Sequence, residues 1–344
     1  MKTLHVACMP YPTPQGMQAL VGAMMRALRA AGHEAELLVY ADGQSDDDPS
    51  WVRRLGDWPV VRSERSGPSL GKVALDLRMV AELRWRWQRD RRPVVAHNVE
   101  AAVVARAAGV RPLVYVAHTR FDTELETYAP DRIAGPLRRV GSVLDRVAAG
   151  VDAVGAVSPN LAAHLGGTYL PSPWPMREPA GAPGRWVLYG GNLDGYQGWE
   201  HVVDACALAE LPLLVATESD PAPVRERARA TGLKELEIAP LRTDTDREAA
   251  HGRCFAVAVP RRSPGGLPMK MLDALARDRP VVAMERALAG LDPNGVVTVA
   301  NDDPRAFAEG LQLVRRVRPK GGRAWVRSEC NGAAFTTALE SLLR

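Results

Sequence analysis

Lys270 and Asp273 stand three residues apart at the start of a helix-like segment, behind a turn dense in proline and glycine. The turn, residues 260–268, follows an apolar strand-like run at 255–259 and contains Arg261, Arg262, Gly265 and Gly266. Such a loop exposes backbone N–H groups at a helix N-terminus, where a phosphate is readily held. A lysine there adds a point charge. One helical turn brings Asp273 to the same face, and its carboxylate suits a ribose diol. The same residues also fit a plain strand–turn–helix joint with a surface lysine and aspartate.

A second loop has related character. Gly190-Gly191-Asn192-Leu193-Asp194-Gly195-Tyr196-Gln197-Gly198 joins a strand to a helix at 199–209, and its glycines let a diphosphate approach the backbone. It is neither a GxGxxG fingerprint nor a P-loop. In the first half, His97-Asn98 and His118 close two successive apolar runs, with Arg120 just beyond. In open parallel sheets ligands bind outside the carboxyl ends of strands, so histidines there suit a sugar hydroxyl or a phosphate. Gly16, in a proline-rich loop before the first helix, permits close approach of a ligand, and also fits an ordinary turn.

The elements that must position these residues alternate. Apolar runs at 3–9, 34–40, 94–96, 113–117 and 151–157 read as strands, and helical spacing appears at 17–31, 70–89, 101–108 and 136–149. The second half repeats the pattern, with strands at 185–189, 213–216, 237–240, 255–259, 281–284 and 296–299. Helices fall between them at 199–209, 222–231, 244–251 and 304–317, and a helical tail spans 325–343. The chain is therefore α/β. Residues 42–49 read as an acidic surface loop, 120–128 as a solvated charged loop, and 51–68 suggest no element. The division expected is an N-terminal domain at 1–172, a proline-rich linker at 173–184, a second domain at 185–324 and the tail helix at 325–344.

At 46% hydrophobic and 24% charged residues, the composition is globular. A net charge of +4 is compatible with anionic substrates or an anionic membrane surface and too weak to indicate nucleic acid. Cys8, Cys206, Cys254 and Cys330 lack metal-ligand spacing and read as reduced cysteines of a cytosolic protein. No signal peptide or membrane span is read. Arginine and tryptophan alternate at 84–92, which fits either a helix end with tryptophan packed on the core or a lipid-interface patch. Arg138, Arg139 and Arg146 put a basic face on the helix at 136–149, either solvated or turned to a membrane or acceptor.

Taken in order, these motifs resemble the GT-B glycosyltransferases, most of all glycosyltransferase family 4. The matching features are Gln15-Gly16 before a helix ending in Gly32-His33-Glu34, then His97-Asn98, His118, Val157-Ser158-Pro159, the loop from Gly191 to Gly198, and Gly266-Leu267-Pro268-Met269-Lys270 through Ala283. The resemblance spans essentially the whole chain. It implies two Rossmann-like domains facing a cleft, an N-terminal one for the acceptor and a C-terminal one for a nucleotide sugar. It implies metal-independent transfer with retention and no cofactor beyond the nucleotide-sugar co-substrate. His118 matches the histidine beside the reacting sugar, Gly16 the loop near the donor phosphate, and Asp273 the second carboxylate of the family pair, which binds the ribose. The first carboxylate falls on Gly265, and the usual basic pair of the glycine loop falls on Asn192 and Gln197. Lys270, with Arg261 or Arg262, is then the substitute for charge compensation at a diphosphate leaving group.

The expectation is a hexosyltransferase acting in cell-envelope polysaccharide synthesis, with catalytic His118 and Lys270. Donor contacts are expected from Gly16, Gly191, Asn192, Gln197, Arg261, Gly265, Gly266, Lys270 and Asp273. Acceptor contacts are expected from His97, Asn98, His118 and Arg120. The partners implied are a nucleotide sugar, a glycan or glycolipid acceptor and a peripheral contact with anionic lipid at the inner face of the membrane, with no nucleic acid. The missing basic and acidic residues also leave open a nucleotide-sugar epimerase or hydrolase, or a non-catalytic binding subunit.

Overall fold

The computed structural model describes residues 1–13, 16–43, 49–56, 70–127, 131–263 and 266–344. Gln15, Gly265, most of the acidic loop (44–48) and residues 57–69 lie outside these. The chain divides into two compact units, Met1–Pro173 with Asn331–Arg344, and Trp174–Cys330.

In the first unit the strands are β1 (Lys2–Ala7), β2 (Glu34–Val39), β3 (Val52–Arg54), β4 (Val94–His97), β5 (Leu113–Ala117), β6 (Ala153–Ala156) and β7 (Thr168–Tyr169). Between them run α1 (Gly16–Ala30), α2 (Leu70–Arg89), α3 (Asn98–Ala108), α4 (Phe121–Thr127), α5 (Asp131–Ala149) and α6 (Pro159–Leu165). The strands pair in parallel in the order β3-β2-β1-β4-β5-β6-β7. Runs such as Leu113-Val114-Tyr115-Val116-Ala117 are apolar at every position because helices cover both faces, and all five are buried. The order reverses between β1 and β4, and a sheet wound both ways from such a point opens a crevice at its strand carboxyl ends.

The second unit repeats the plan with β8 (Trp186–Gly190), α7 (Trp199–Ala209), β9 (Leu213–Ala216), α8 (Ala222–Thr231), β10 (Leu236–Ala239) and α9 (Asp244–Arg253). It continues with β11 (Cys254–Val259), α10 (Met269–Ala276), β12 (Val281–Met284), β13 (Val296–Val299), α11 (Pro304–Val317) and α12 (Gly322–Glu329). The parallel order is β10-β9-β8-β11-β12-β13, so the reversal lies between β8 and β11. Trp199, Phe255 and Phe307 sit in the apolar core of this unit. Both glycine-rich loops singled out from sequence leave the two strands that flank this reversal.

The structure departs from the sequence expectations in four places. Residues 121–127 form α4 rather than a solvated loop, because Asp145 of α5 accepts hydrogen bonds from the backbone N–H groups of Phe121 and Asp122 at the helix start. The tail is two helices, α12 and α13 (Gly332–Leu342), since Asn331 turns the chain and caps α13 through Ala334 N–H. α13 packs on α1, where Gly332 meets Ala27. Trp85 is 50% exposed rather than packed on the core, with the Arg89 guanidinium 3.7 Å from its ring centre. The proline-rich stretch after Trp174 lies against the second unit, because buried Arg279 donates to the carbonyls of Ala180, Gly181 and Ala182. All four cysteines are free and buried. No described helix is long and apolar enough to cross a membrane.

Candidate functional site

In the first unit the parallel register sets the site. Thr3 and His5 lie two apart on one face of β1, His97 pairs level with Ala7, and Val116 pairs level with His97. With a side-chain period of two, Thr3, His5, His97 and His118 fall on one face and climb diagonally across β1, β4 and β5 to the carboxyl edge. They form a continuous chain. Thr3 Oγ1 lies 3.2 Å from His5 Nε2, His5 Nδ1 lies 3.0 Å from His97 Nε2, and His97 Nδ1 lies 3.1 Å from His118 Nε2. Burial pulls the His5 pKa down to about 3, helped by the Arg92 charge, and pulls His118 down to about 4. Burial, then the neighbouring His5 and His118, also hold His97 well below the ordinary range. All three rings are neutral at neutral pH.

The far end of this chain is unsatisfied. His118 Nδ1 has no hydrogen-bond partner among the described residues, and neither do Asn98 Oδ1 and Ser158 Oγ. Asn98 holds its backbone at φ 74°, a left-handed conformation that asparagine tolerates better than most residues. These three buried polar atoms follow the carboxyl ends of β4, β5 and β6. Buried polar groups are nearly always paired, so a polar ligand at the carboxyl edge would complete the bonding of these atoms. Arg120, by contrast, is already committed. Its guanidinium grips Asp122 at 3.1 and 2.7 Å. Burial alone would raise the Asp122 carboxyl, but this pairing outweighs it and holds the pKa below the ordinary value. Gly16 opens the 15-residue helix α1, so its N–H is one of the unpaired donors of that helix start.

Asp122, Asp145 and His164 bring one ligand atom each within 4.8 Å of one another. Their carboxylates are spent on Arg120 and on backbone N–H groups at the start of α4, which makes the group a helix anchor first.

In the second unit Lys270, on the first turn of α10, reaches back to the loop after β8. Its ammonium donates to Gln197 Oε1 at 2.9 Å and lies 4.5 Å from the centre of the Tyr189 ring. Gly191, at φ 132°, leaves room for it, since a Cβ there would lie 3.3 Å from Lys270 Nζ. Among the described residues no carboxylate pairs with Lys270. Burial, with Arg261 nearby, lowers its pKa to about 7. Arg261 Nη1 donates to the Gly266 carbonyl at 3.4 Å, and its guanidinium lies over the Tyr196 ring at 5.7 Å. Asn192 donates to Asp194 at 2.6 Å, while its carbonyl accepts from the Tyr189 hydroxyl. Gly198 could carry no side chain, since a Cβ would meet the Pro260 carbonyl oxygen at 2.3 Å.

Gly191, Asn192, Gln197, Arg261, Gly266 and Lys270 are thus gathered at the two loops that flank the reversal. Asp273, one turn along α10 from Lys270, is already paired. Its carboxylate takes Arg277 at 2.5 Å and His251 at 3.3 Å, with Arg177 at 3.8 Å. Gly265 lies outside the described residues. Sequence reading missed Thr3, His5 and Tyr189. A histidine and a threonine two apart in an otherwise apolar strand were the available signal for the first two.

The sequence model of Glycosyltransferase Family 4 matches residues 14–176, and that of Glycosyl transferases group 1 matches residues 184–315. No curated protein sequence matches the chain. Among solved structures, sucrose-phosphate synthase from Thermosynechococcus elongatus superposes with a TM-score of 0.79 at 16% identity, covering 99% of this chain and 98% of that one. HepE from Anabaena, solved in complex with UDP, gives 0.72 at 16% identity, covering 100% and 99%. A point mutant of TarM from S. aureus, solved with fondaparinux, alpha-GlcNAc-glycerol and UDP, gives 0.74 at 8% identity, covering 100% of both chains. At these identities the structural likeness shows the fold, two Rossmann-like domains. The family matches span both units in order, and the chain belongs to the GT-B glycosyltransferases of the family 4 type.

Proposed function

We propose that the protein moves a hexose from a nucleoside diphosphate sugar to a glycan or glycolipid acceptor, with retention at the anomeric carbon and without a metal ion. The observation that carries this reading is Lys270, a lysine with no carboxylate partner among the described residues, set between two glycine-rich loops at the reversal of the second sheet. A diphosphate placed there would meet the ammonium and the N-terminus of α10, and Gly191, with no side chain, would let it approach. In the reaction the bond from the anomeric carbon to the phosphate oxygen breaks, and its electron pair stays on the phosphate. Lys270 compensates that charge in place of the basic pair replaced by Asn192 and Gln197. The acceptor oxygen bonds the anomeric carbon and its proton leaves with the departing phosphate. On the first unit, His118, Asn98 and Ser158 offer polar atoms to sugar hydroxyls, and Gly16 offers a backbone N–H to a phosphate.

The reading is supported by neighbours solved with UDP or UDP-glucose, namely the HepE complexes. The test is transfer and donor hydrolysis across a panel of nucleotide sugars, with Lys270→Ala and His118→Ala alongside. Undiminished turnover in both variants would sink the assignment, and the anomeric configuration of the product decides retention. An epimerised or hydrolysed donor with no acceptor product would instead identify the epimerase or hydrolase reading.

Peripheral contact with anionic lipid at the inner face of the membrane belongs to the same proposal. Leu77 of α2 is 68% exposed and lies two turns from half-exposed Trp85, with arginines around the latter. On α5, Val140 and Val143 are exposed beside Arg138 and Arg139. Apolar side chains rimmed by arginine suit a lipid interface. Flotation with anionic liposomes at low salt tests this, and absence of binding excludes it.

A further inference from the structure

The Thr3–His5–His97–His118 chain leaves one nitrogen without a partner, and the chemistry of the chain decides whether that nitrogen carries a proton. A neutral imidazole has one N–H and one bare nitrogen, so a line of three hydrogen-bonded neutral rings can be polarised in only two ways. In one, every N–H points toward the carboxyl edge and His118 ends in Nδ1–H. In the other, every N–H points back toward Thr3 and His118 ends in a bare Nδ1.

Two observations select the first. Thr3 is buried, and its hydroxyl has no partner among the described residues except His5 Nε2. Only the first polarity lets that O–H donate. The second would leave a buried hydroxyl proton unpaired, which costs more than an unused lone pair. The other observation is Arg92, buried near the Thr3 end of the chain, whose charge acts on His5 even though it is paired with Glu36. A cation at that end favours the bare-nitrogen, negative ends of the imidazole dipoles facing it, and so drives the N–H ends toward His118.

We infer that Thr3, His5 and His97 form a tautomer-setting relay that presents the Nδ1–H of His118 as a fixed donor to a hydroxyl of the bound sugar. His5 and His97 are positioning residues, because they act through His118. The tautomer itself stands on the geometry of the hydrogen-bonded chain and the Arg92 charge at its Thr3 end. Its use on a sugar hydroxyl rests on the glycosyl-transfer reading.

The test separates the two. Full-length protein labelled with 15N-histidine is examined near pH 7 without substrate, using long-range proton–nitrogen correlations assigned by loss of signal in His118→Gln. His118 is expected to show a protonated Nδ1 and a bare Nε2, the opposite of the form an unconstrained neutral imidazole prefers. His5→Phe breaks the chain and is expected to give His118 as a mixture of tautomers. His5→Gln, whose amide can accept from Thr3 and donate to His97, is expected to restore the single form. Thr3→Val, close in shape, removes only the hydroxyl donor and moves the same signals in the same direction as His5→Phe. A protonated Nε2 on His118, a charged ring, or no change in both His5→Phe and Thr3→Val overturns the relay. In transfer assays His5→Phe lowers kcat by about tenfold, the worth of one hydrogen bond, and His5→Gln recovers it. Unchanged kcat alongside a switched tautomer overturns the sugar contact and leaves the relay standing.

Discussion

At the scale of the residue, Lys270 is held where its charge is costly to the fold and, in the proposed reading, useful to a diphosphate. Its folded pKa of about 7 lies below the ordinary 10.5, so the unfolded chain binds more protons and stability rises with pH between those values. At neutral pH the fold bears a penalty that an apolar side chain of similar length would remove. Lys270→Met is therefore expected to raise the unfolding free energy by roughly 1–3 kcal/mol at pH 7, read from urea denaturation, while weakening donor binding. The same displacement gives binding a pH signature. A diphosphate requires the ammonium, and above pH 7 the free protein increasingly holds the amine, so binding must take up a proton. The dissociation constant for a nucleoside diphosphate sugar is expected to rise ~tenfold per pH unit above about 7 and to be flat in Lys270→Met. A flat profile in the unsubstituted protein would remove Lys270 from the phosphate site. Gly191 is the companion prediction. Gly191→Ala places a Cβ 3.3 Å from the Lys270 amine in a backbone conformation that alanine resists, so donor affinity falls with little change in the core.

At the scale of the element, Arg279 shows how one side chain fastens a segment. It is 2% exposed, and its guanidinium donates to the carbonyls of His251, Ala180, Gly181 and Ala182. Arg279→Met takes the guanidinium donor from the carbonyls of Ala180, Gly181 and Ala182 and is expected to cost about 3–5 kcal/mol in urea unfolding of the second unit. A cost below about 1 kcal/mol would mean that solvent replaces the guanidinium. The elements that were legible in the sequence are those whose pattern is local. Apolar runs at 113–117 and 281–284 are buried strands, and the helical spacing at 199–209 and 304–317 matches α7 and α11. What was not legible depends on partners distant in sequence. β3 is three half-buried residues, two of them arginine, and exists because β2 pairs with it. α4 reads as a charged loop until Asp145 is seen to cap it from another helix. The site divides in the same way. Lys270, Gly191 and His118 announce themselves by residue type beside a strand end. The link from His5 to His118 depends on which strands are neighbours and in what register, and nothing in the local sequence states that.

At the scale of the whole molecule, the last helix belongs to the first unit although it follows the second in the chain. α13 closes the first unit with Phe335 and Leu339, both fully buried, while Leu342 approaches Gly155 of β6 and Glu340 lies 3.0 Å from His33. Burial of two large apolar side chains is worth roughly 1.5–3 kcal/mol each, so α13 contributes a sizeable part of the stability of that unit. Removal of residues 331–344 is therefore expected to loosen the first sheet selectively. Backbone amides of β1, β4, β5 and β6 would lose hydrogen-exchange protection, and with them the ordering of the histidine chain that spans β1, β4 and β5. The strands β8 to β13 draw no residue from this helix, so their protection and the Lys270 environment would persist. If the second unit binds the donor, as proposed, the shortened protein should keep nucleotide-sugar binding and lose transfer. Equal loss of protection in both sheets would contradict the assignment of α13 to one unit. Transfer that survives truncation while β1 and β4 exchange freely would contradict the need for an ordered His118.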